Sequence, residues 1–508
     1  MTSFNEEILS KMKRHADLGH SKRTGSLLRQ LKILFSSPGT SPTQAAGRAP
    51  SPVAQMASLY RFLDNPSISV AALRKIRAQA VLDTIPPDSE VLIVHDVTLL
   101  DYCTHTTKTD RRPIGDGKGL GYEYASCAAV EPVSRRFLGI IHDTLISSNG
   151  PDDQKTMKYD YEPLFSHFSE SEKARLRVNH RHQMAVHVNG LESQLGERHV
   201  IHVGDREFDD IFLLAQCLKN NHDFVIRSTA LRNVQIPNAP WIPPEALTRQ
   251  QGGGAPPEGW VCVNLTRLIH EVPPRPYKTL HLDARGRVTD SRTAHRSATL
   301  HIGACRVRLY RRAKRNTRYH KPPNPVELSM VIIRECDPPQ GLEPLLWVLF
   351  TSLPVDTDEQ LGRVGTIYEC RWIIEEFHRL LKSGYKIEQM RMDNADKIAK
   401  LLILFSVAAM TLGHMKSRLG LPRGGYLDDE QYQRVKKAMK EPDNTAIDIE
   451  LRLFAFIAKL GGWLGRRRDP IGPTVLMRGL LQVLAILDAL EHYEAFFKEV
   501  IRKRQKLK

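Results

Sequence analysis

Two runs of apolar residues that each end near an aspartate constrain this chain more than any other feature of its sequence. The first is VLIVHDVTLL over 91–100, which contains Asp96, and the second is HVIHVGDREF over 199–208, which contains Asp205. Such runs are typical of strands buried on both faces of a sheet. A single Asp at a strand end commonly caps the next turn. Two of them at the ends of strands in one sheet can instead face the same point, where an unpaired carboxylate would be costly.

The pattern around these runs predicts a mixed α/β sheet. Strand-like runs follow at 122–130 and 137–146, and their short link, EPVSR, favours an antiparallel hairpin. After the second aspartate run we predict a helix at 210–220 and a fifth strand at 224–228. Consecutive strands followed by strands that alternate with helices indicate one sheet covered by helices.

The flanking regions differ from this sheet pattern. Residues 1–85 are basic with apolar residues at helical spacing, interrupted by a Pro-, Ser- and Gly-rich loop at 37–53. A long helical stretch is predicted at about 152–195, and a Pro- and Gly-rich insertion of strands at about 236–350. From about 356 the pattern is helical. We therefore predict three domains, namely a helical one at 1–85, a core at 86–392 that contains the β insertion, and a helical one at 393–508.

A third segment, YECRWIIEEFHRLLK over 368–382, places reactive side chains at helical spacing. If it forms one helix, Arg371, Glu375 and Lys382 lie at about −60°, −20° and −40° from Tyr368. All four side chains then share one narrow face, and the next glutamate lies about 100° away. A solvated helix face held by an Arg371–Glu375 ion pair at i, i+4 is the alternative interpretation.

Charge and cysteine content restrict the partner and the compartment. Lys and Arg number 73 against 57 acidic residues, and the net charge of +16 favours a polyanionic partner without choosing among DNA, RNA and an anionic membrane. The seven cysteines are scattered without a CxxC pair, which argues against a disulfide framework or a zinc site and fits a reducing cytoplasm. The N-terminus lacks an apolar signal core, and the apolar run at 401–410 is too short to span a bilayer, so we expect a cytoplasmic protein with no membrane partner.

Three carboxylates beside cationic side chains suit phosphoryl transfer. Two Mg²⁺ ions are typically bound by a few carboxylates and by the phosphate oxygens of a substrate. One ion activates the attacking water or hydroxyl, and the other stabilises the leaving oxygen. A hydrolase of small phosphate esters would suit the same groups, but the basic charge and the additional domains favour a polymeric substrate.

The spacing of Tyr368, Arg371, Glu375 and Lys382, with two, three and six residues between them, resembles the YREK signature of the insertion-sequence-four family of DDE transposases. Four further segments are similar to the Tn-five type of cut-and-paste transposase, namely DREFDD (205–210), DFVIRS (223–228), LLWVLFTSLPV (345–355) and RWIIEEFH (371–378). Weaker similarities to its end-recognition and dimerisation domains lie at 16–28, 60–69 and 456–465.

The resemblance implies a fold and a set of site residues. The fold would be an RNase H-like mixed sheet with a β-strand insertion, flanked by helical N-terminal and C-terminal domains for end binding and dimerisation. Asp96, Asp205 and Glu375 would hold two Mg²⁺ ions per active site, with Mn²⁺ as a possible substitute. The DNA-binding residues would be Tyr368, Arg371, Lys382, Trp347, Arg227, Lys22, Arg23 and Arg61. Among them Trp347 would stack on a base flipped out of the duplex, although an ordinary core tryptophan gives the same pattern.

The resemblance also implies an activity. A synaptic homodimer in the bacterial cytoplasm would bind the terminal repeats of a transposon, cleave double-stranded DNA through a hairpin intermediate and join the ends to target DNA.

The basic run RRAKRNTRYHK (311–321) would track a DNA backbone, or else form a solvated hairpin. Two alternatives remain open, a structure-specific endonuclease without strand transfer and a non-catalytic DNA-binding descendant of a transposase. The complete carboxylate triad favours an enzyme over the latter.

Overall fold

A computed structural model describes most of the first 417 residues and a few later helical segments. The described ranges are 3–37, 39–47, 51–151, 187–188, 190–191, 195–248, 255–282, 296–310, 325–342, 344–417 and 455–462, together with scattered helical positions between 475 and 486. The helix predicted at 152–195 and the basic run at 311–321 lie largely or wholly outside the described residues.

The chain divides into two compact units, which we call the sheet unit and the helical unit. The sheet unit comprises Val81–Glu375 and Arg391–Ala399. The helical unit comprises Met1–Ala80, Glu376–Met390 and Lys400–Lys508. The three-domain division with boundaries near 85 and 392 stays a prediction.

The centre of the sheet unit is a five-stranded sheet with both antiparallel and parallel pairs. Its strands, in spatial order, are β4 (Arg136–Ser147), β3 (Gly119–Glu131), β1 (Glu90–Asp101), β6 (His199–Gly204) and β7 (Asp223–Arg227). The pairs β4–β3 and β3–β1 are antiparallel, whereas β1–β6 and β6–β7 are parallel. All five strands were predicted from their apolar runs, and the mixed α/β fold class is confirmed in an order compatible with an RNase H-like core.

The β insertion extends this same sheet beyond β7. Its strands continue in the spatial order β13 (Leu346–Thr351), β12 (Val326–Cys336), β11 (Arg296–Leu309), β8 (Asn233–Pro237) and β9 (Trp260–Asn264), and β10 (Arg275–Leu282) also pairs with β11. Two short strands, β2 (Arg112–Ile114) and β5 (Gly150–Pro151), pair with β3 and β4. The insertion of strands predicted at about 236–350 is therefore confirmed, and β8 begins just before it. A four-residue helix between β9 and β10 shows that the insertion is not purely β.

One apolar core runs beneath both parts of the sheet. Phe208, Phe224 and Phe350 are at most 2% exposed and belong to it together with residues of the insertion such as Val234 and Met330. Burying a large apolar side chain stabilises the fold by about 1.5–3 kcal/mol. The insertion is thus packed against the central sheet and shares its core.

The sheet unit contains four helices among the described residues, and one of them begins at a capping box. They are α6 (Ile211–Lys219), α7 (Leu265–Leu268), α8 (Asp358–Glu369) and α9 (Trp372–Arg379), of which the last continues into the helical unit. The side chain of Thr357 accepts a hydrogen bond from the backbone N–H of Gln360, whose own side chain returns to Thr357, and this capping box fixes the start of α8.

The helical unit contains α1 (Ser3–His15), α2 (Ser21–Ser36), α3 (Pro42–Ala46), α4 (Pro52–Asp64), α5 (Val70–Leu82), which ends in the sheet unit, and most of α10 (Ala395–Ser417). The apolar run 401–410 is buried within α10. Lys400 is buried near the start of α10, and its ammonium donates to the carbonyl oxygens of Leu63 (3.0 Å) and Asn65 (3.3 Å) at the end of α4. The last carbonyls of a helix have no partner inside it, so the lysine caps the C-terminal end of α4.

The helical pattern predicted over 1–85 comprises several helices, and residues 16–20 connect α1 to α2. One prediction for the N-terminal region was wrong in detail. The predicted loop at 37–53 contains α3, which starts at a Ser41–Gln44 capping box with Pro42 at its first position.

Among the described residues, no helix is both long and apolar enough to cross a bilayer.

Candidate active site

Asp96 and Asp205 reach the same edge of the sheet through neighbouring parallel strands. Val94 on β1 pairs with Val203 on β6, and each aspartate follows two residues later. Asp96 still lies within β1, opposite Ser126 of β3, whereas Asp205 comes directly after the end of β6. Both side chains are partly exposed, unlike the buried residues that precede them.

Asp205 is held by a tight turn that a glycine permits. Its carboxylate accepts a hydrogen bond from the backbone N–H of Glu207 at 2.9 Å and caps the single 3₁₀ turn Arg206–Phe208. A Cβ on Gly204 would lie 2.7 Å from the Phe208 ring and 3.1 Å from Ile226. Glycine, which has no Cβ, therefore allows the Phe208 ring to pack under the end of β6, and the chain can make its tight turn at Asp205.

Two further acids of DREFDD, Asp209 and Asp210, have structural roles. The Asp209 carboxylate accepts hydrogen bonds from the Ser228 hydroxyl (2.9 Å) and the Thr229 backbone N–H (3.0 Å) just after β7. Asp210 accepts a hydrogen bond from the backbone N–H of Leu213 at 3.3 Å, at the start of α6. These contacts tie the Asp205 turn to β7 and α6.

Glu375 enters the site on α9, and the predicted single helix over 368–382 is wrong. Tyr368 lies in α8, Arg371 lies in the turn between α8 and α9, and Lys382 lies in a π-helical turn, Leu380–Gly384. At the junction the backbone N–H groups bond to carbonyls three residues back, as in Arg371 to Tyr368 at 3.0 Å. A turn with bonds three residues back has fewer residues per turn than an α-helix, and a π turn has more. A constant rotation of about 100° per residue therefore does not hold across this segment.

Arg371 connects the three carboxylates. It is 8% exposed, and its guanidinium lies 2.5 Å from a carboxylate oxygen of Glu375. Burial acts to lower the pKa of Arg371, but the charges of Tyr368, Glu375, Asp96 and Asp205 outweigh it and raise the pKa above its ordinary value. The predicted ion pair of the alternative interpretation is therefore present, and it lies within electrostatic reach of both aspartates.

Burial raises the pKa of Asp205, and the Asp96 carboxylate acts in the same direction. The hydrogen bond from Glu207 and the charge of Arg371 oppose this rise without cancelling it. Like charges that converge in a partly buried site disfavour each other's ionised forms. A divalent cation between them would remove this penalty.

An aromatic and cationic cluster adjoins the carboxylates. The ring of Tyr368 contacts that of Trp347 edge-on, with centroids 5.4 Å apart. Burial raises the pKa of Tyr368, whereas Arg227, which hydrogen-bonds to it, and Arg371 act to lower it. Arg227 also donates to the Leu346 carbonyl at 3.0 Å. Trp347 is half-buried, so its ring is neither an ordinary core side chain nor fully open to solvent.

The remaining predicted site residues belong to the helical unit. Lys382 lies 3.5 Å from Glu388. Lys22 and Arg61 are exposed on α2 and α4, and Arg23 donates to the Leu18 carbonyl at 2.9 Å. Their roles in DNA binding stay predictions.

Sequence reasoning missed Trp372. Its side chain is 54% exposed, and the Arg371 guanidinium lies 4.6 Å from its ring centroid. An exposed tryptophan against a site arginine offers a flat stacking surface one turn from Glu375. Its position directly after Arg371 in RWIIEEFH was the available signal.

The three carboxylates form a set of hard oxygen donors, which Mg²⁺ and Mn²⁺ prefer. Among the described residues, the Arg371 Nε is buried without a hydrogen-bond partner and leaves a donor for an anionic oxygen. The residues present thus fit both a divalent cation and the phosphate oxygens it would share.

Comparison with known proteins finds a matching family model and similar solved structures. Residues 176–411 match the family model described as a transposase DDE domain, a range that includes Asp205, Trp347, Arg371 and Glu375 but not Asp96. The synaptic complex of piggyBac transposase with hairpin DNA is similar at 11% identity and a TM-score of 0.31, over 84% of this chain. This chain spans 63% of the length of that transposase. Residues 176–411 of this chain are thus similar to the transposase DDE domain.

Proposed function

We propose that this protein is a cut-and-paste DNA transposase of the insertion-sequence-four family, similar to the Tn-five type. The observation that carries the proposal is the convergence of Asp96, Asp205 and Glu375 on the buried guanidinium of Arg371. These carboxylates come from two neighbouring strands and from a helix more than a hundred residues further along the chain. The match of residues 176–411 to a transposase DDE domain supports the same assignment.

Asp96, Asp205 and Glu375 would hold two Mg²⁺ ions, for which Mn²⁺ would substitute. Bound there, the ions would activate the attacking oxygen and stabilise the leaving oxygen of a phosphodiester. Arg371 would bind a non-bridging phosphate oxygen through its unpartnered Nε while it keeps Glu375 oriented. Tyr368 and Arg227 would position the neighbouring DNA backbone.

We propose that the reaction is a series of in-line displacements at phosphorus without a covalent protein–DNA intermediate. Water cleaves one strand and releases a 3′-hydroxyl. That hydroxyl attacks the opposite strand and leaves a hairpin, which a second water opens. The 3′ ends then attack target DNA. In each of these steps one P–O bond breaks as another P–O bond forms. Trp347 would stack on a base extruded from the hairpin, which offsets part of the cost of unstacking.

The partners would be the transposon ends and the target DNA, brought together by a homodimer in the bacterial cytoplasm. The net charge of +16 supports a polyanionic substrate. Lys22, Arg23 and Arg61 would contact the ends, and Lys382 would contact the DNA near the cut.

A cleavage and strand-transfer assay tests the proposal. The purified chain is incubated with DNA that carries its flanking terminal repeats, in Mg²⁺ or in EDTA. We expect Mg²⁺-dependent hairpin ends and joined product, which Glu375→Gln abolishes and the control Glu376→Gln leaves in place. Cleavage without joining would favour the structure-specific endonuclease. Binding without cleavage would favour the non-catalytic DNA-binding protein and overturn the proposal.

A further inference from the structure

A row of histidine and cysteine side chains crosses the centre of the sheet. His95 on β1 is the direct cross-strand partner of Cys127 on β3, and Cys127 in turn is opposite His142 on β4. His202 on β6 lies on the other side of His95, with ring centroids 5.1 Å apart. Buried ionisable side chains at the centre of an apolar sheet are uncommon and call for a physical reason.

His95 has one ring nitrogen in a hydrogen bond and one without a partner. Its Nε2 lies 2.9 Å from Nδ1 of His202, and Nε2 of His202 lies 3.0 Å from Nδ1 of His222. The Nδ1 atom of His95 is buried and has no hydrogen-bond partner in the described part of the chain. Leaving a buried polar atom without a partner is costly, so a ligand for Nδ1 would be stabilising.

Two further donors surround this nitrogen. One ligand atom each of His95, Cys127 and His187 lies within 4.8 Å of the other two, and all three residues are buried. Atoms bound to one tetrahedral zinc ion lie about 3.5 Å apart, given Zn–N bonds near 2.0 Å and Zn–S bonds near 2.3 Å. The three side chains would therefore need to close by about 1 Å, which small side-chain rotations provide.

We propose that His95, Cys127 and His187 form a buried site for a zinc-class transition-metal ion. Two imidazoles and a thiolate are borderline-soft ligands that select Zn²⁺ over Mg²⁺ or Ca²⁺. The chain of histidines would supply the usual support for a metal-bound imidazole: with the proton of His95 on Nε2, 2.9 Å from Nδ1 of His202, the Nδ1 lone pair of His95 is left for the ion. The Cys127 thiol, whose Sγ lies 3.4 Å from the His142 carbonyl oxygen, would lose its proton to solvent on binding.

This site is distinct from the carboxylate site. Side chains of successive residues in a strand point to opposite faces, so His95 and Asp96 face opposite sides of the sheet. An ion held by His95 and Cys127 would fasten β1 to β3, and through His187 to the segment that precedes β6. It would thereby fix the position of the strand that carries Asp96 without contacting DNA. The inference does not depend on the transposase activity.

Metal content and spectroscopy test this site directly. The full-length chain is stripped with a chelator, reloaded with Zn²⁺ or Co²⁺ and desalted, and its metal content is measured. We expect about one tightly held ion per chain and, with Co²⁺, a thiolate-to-metal charge-transfer band. Both should be lost in Cys127→Ala and in His187→Ala. They should persist in Cys217→Ala, a control at another buried cysteine, and in Asp205→Asn, which alters the carboxylate site.

Folding of each variant is checked by its thermal unfolding without metal. We expect Zn²⁺ to raise the Tm of the wild-type chain and of Cys217→Ala but not that of Cys127→Ala. The proposal is overturned if the stripped wild-type chain, folded by this criterion, takes up no Zn²⁺ or Co²⁺. It is also overturned if Cys127→Ala retains the ion and the Tm shift, because the histidines and thiol would then be a packed cluster of neutral side chains.

Discussion

Asp96 and Asp205 occupy equivalent positions on two neighbouring parallel strands, each two residues beyond the Val94–Val203 pair. Parallel pairing places the carboxyl ends of both strands at one edge of the sheet, where ligands of open α/β sheets commonly bind. Glu375 is brought to the site by helix α9, and the ion pair with the buried Arg371 orients its carboxylate. The carboxylate site follows from strand direction as much as from residue type.

Removing the Asp205 carboxylate should lower DNA cleavage without lowering the stability of the fold. Burial and the Asp96 charge disfavour ionised Asp205 in the folded state, so Asp205→Asn should leave the Tm at pH 7 unchanged or raise it. Asparagine also caps helical turns, so the Glu207 hydrogen bond can be kept. DNA cleavage should fall about 10³-fold or more, the scale on which loss of transition-state charge stabilisation acts. A variant that is both unstable and inactive would argue for a purely structural Asp205.

The turn before Asp205 should not tolerate a methyl group at its glycine. Gly204→Ala would push against Phe208 and Ile226 and should lower the free energy of unfolding by about 1–3 kcal/mol. Chemical denaturation measures this, with Gly25→Ala as the control. A Cβ on Gly25 meets nothing within 4 Å, and in helix α2 alanine should stabilise by up to about 1 kcal/mol. Equal and small effects at both glycines would contradict the tight-turn interpretation.

Trp347 should act through its ring. Stacking on an extruded base is worth about 1–3 kcal/mol, so Trp347→Leu should slow hairpin formation by about 5- to 150-fold. Trp347→Phe, which keeps an aromatic face, should retain most of the rate. Single-turnover cleavage with a fluorescent base analogue near the transposon end measures both effects. Trp260→Leu, at a half-buried tryptophan of β9, is the control, and a similar loss there would indicate a general packing effect.

The buried histidines should make stability depend on pH in the presence of a chelator. Burial lowers the pKa of His95 to about 3 and that of His222 to about 4, and it lowers the pKa of His202 in the same direction. Because these folded pKa values lie below the unfolded value near 6.5, the unfolded state binds more protons in the acidic range. Stability is therefore full above pH 6.5 and is lost as pH falls toward 4, by at most about 1.4 kcal/mol per pH unit for each group.

Urea denaturation at pH 7, 6 and 5 checks this dependence. His222→Asn should reduce the slope of unfolding free energy against pH, because one buried imidazole no longer titrates. A wild-type stability that is flat between pH 7 and pH 5 would show that the three histidines are accessible to protons in the folded protein.

Strand positions in the central sheet could be predicted because burial leaves a continuous apolar run. The runs at 91–100 and 199–208 have this form, and the structure has β1 and β6 there. The helix around Glu375 could not be predicted in detail. Hydrogen bonds to carbonyls three residues back interrupt the uniform helical period at Arg371, and the charges that act on Arg371 include Asp96 and Asp205, more than 150 positions away along the chain.

The kinds of element, the fold class and the candidate carboxylates with their neighbouring Arg371 could be predicted from the sequence, because apolar periodicity and residue chemistry are local properties. Which of these residues meet depends on the tertiary fold. Strand pairing placed Asp96 beside Asp205, and it also set His95 opposite Cys127 with His187 nearby. The scattered cysteines had argued against a zinc site, since a metal motif is visible in a sequence only when its ligands are close along the chain. Long-range pairing in a sheet joins distant residues, and no local pattern records that pairing.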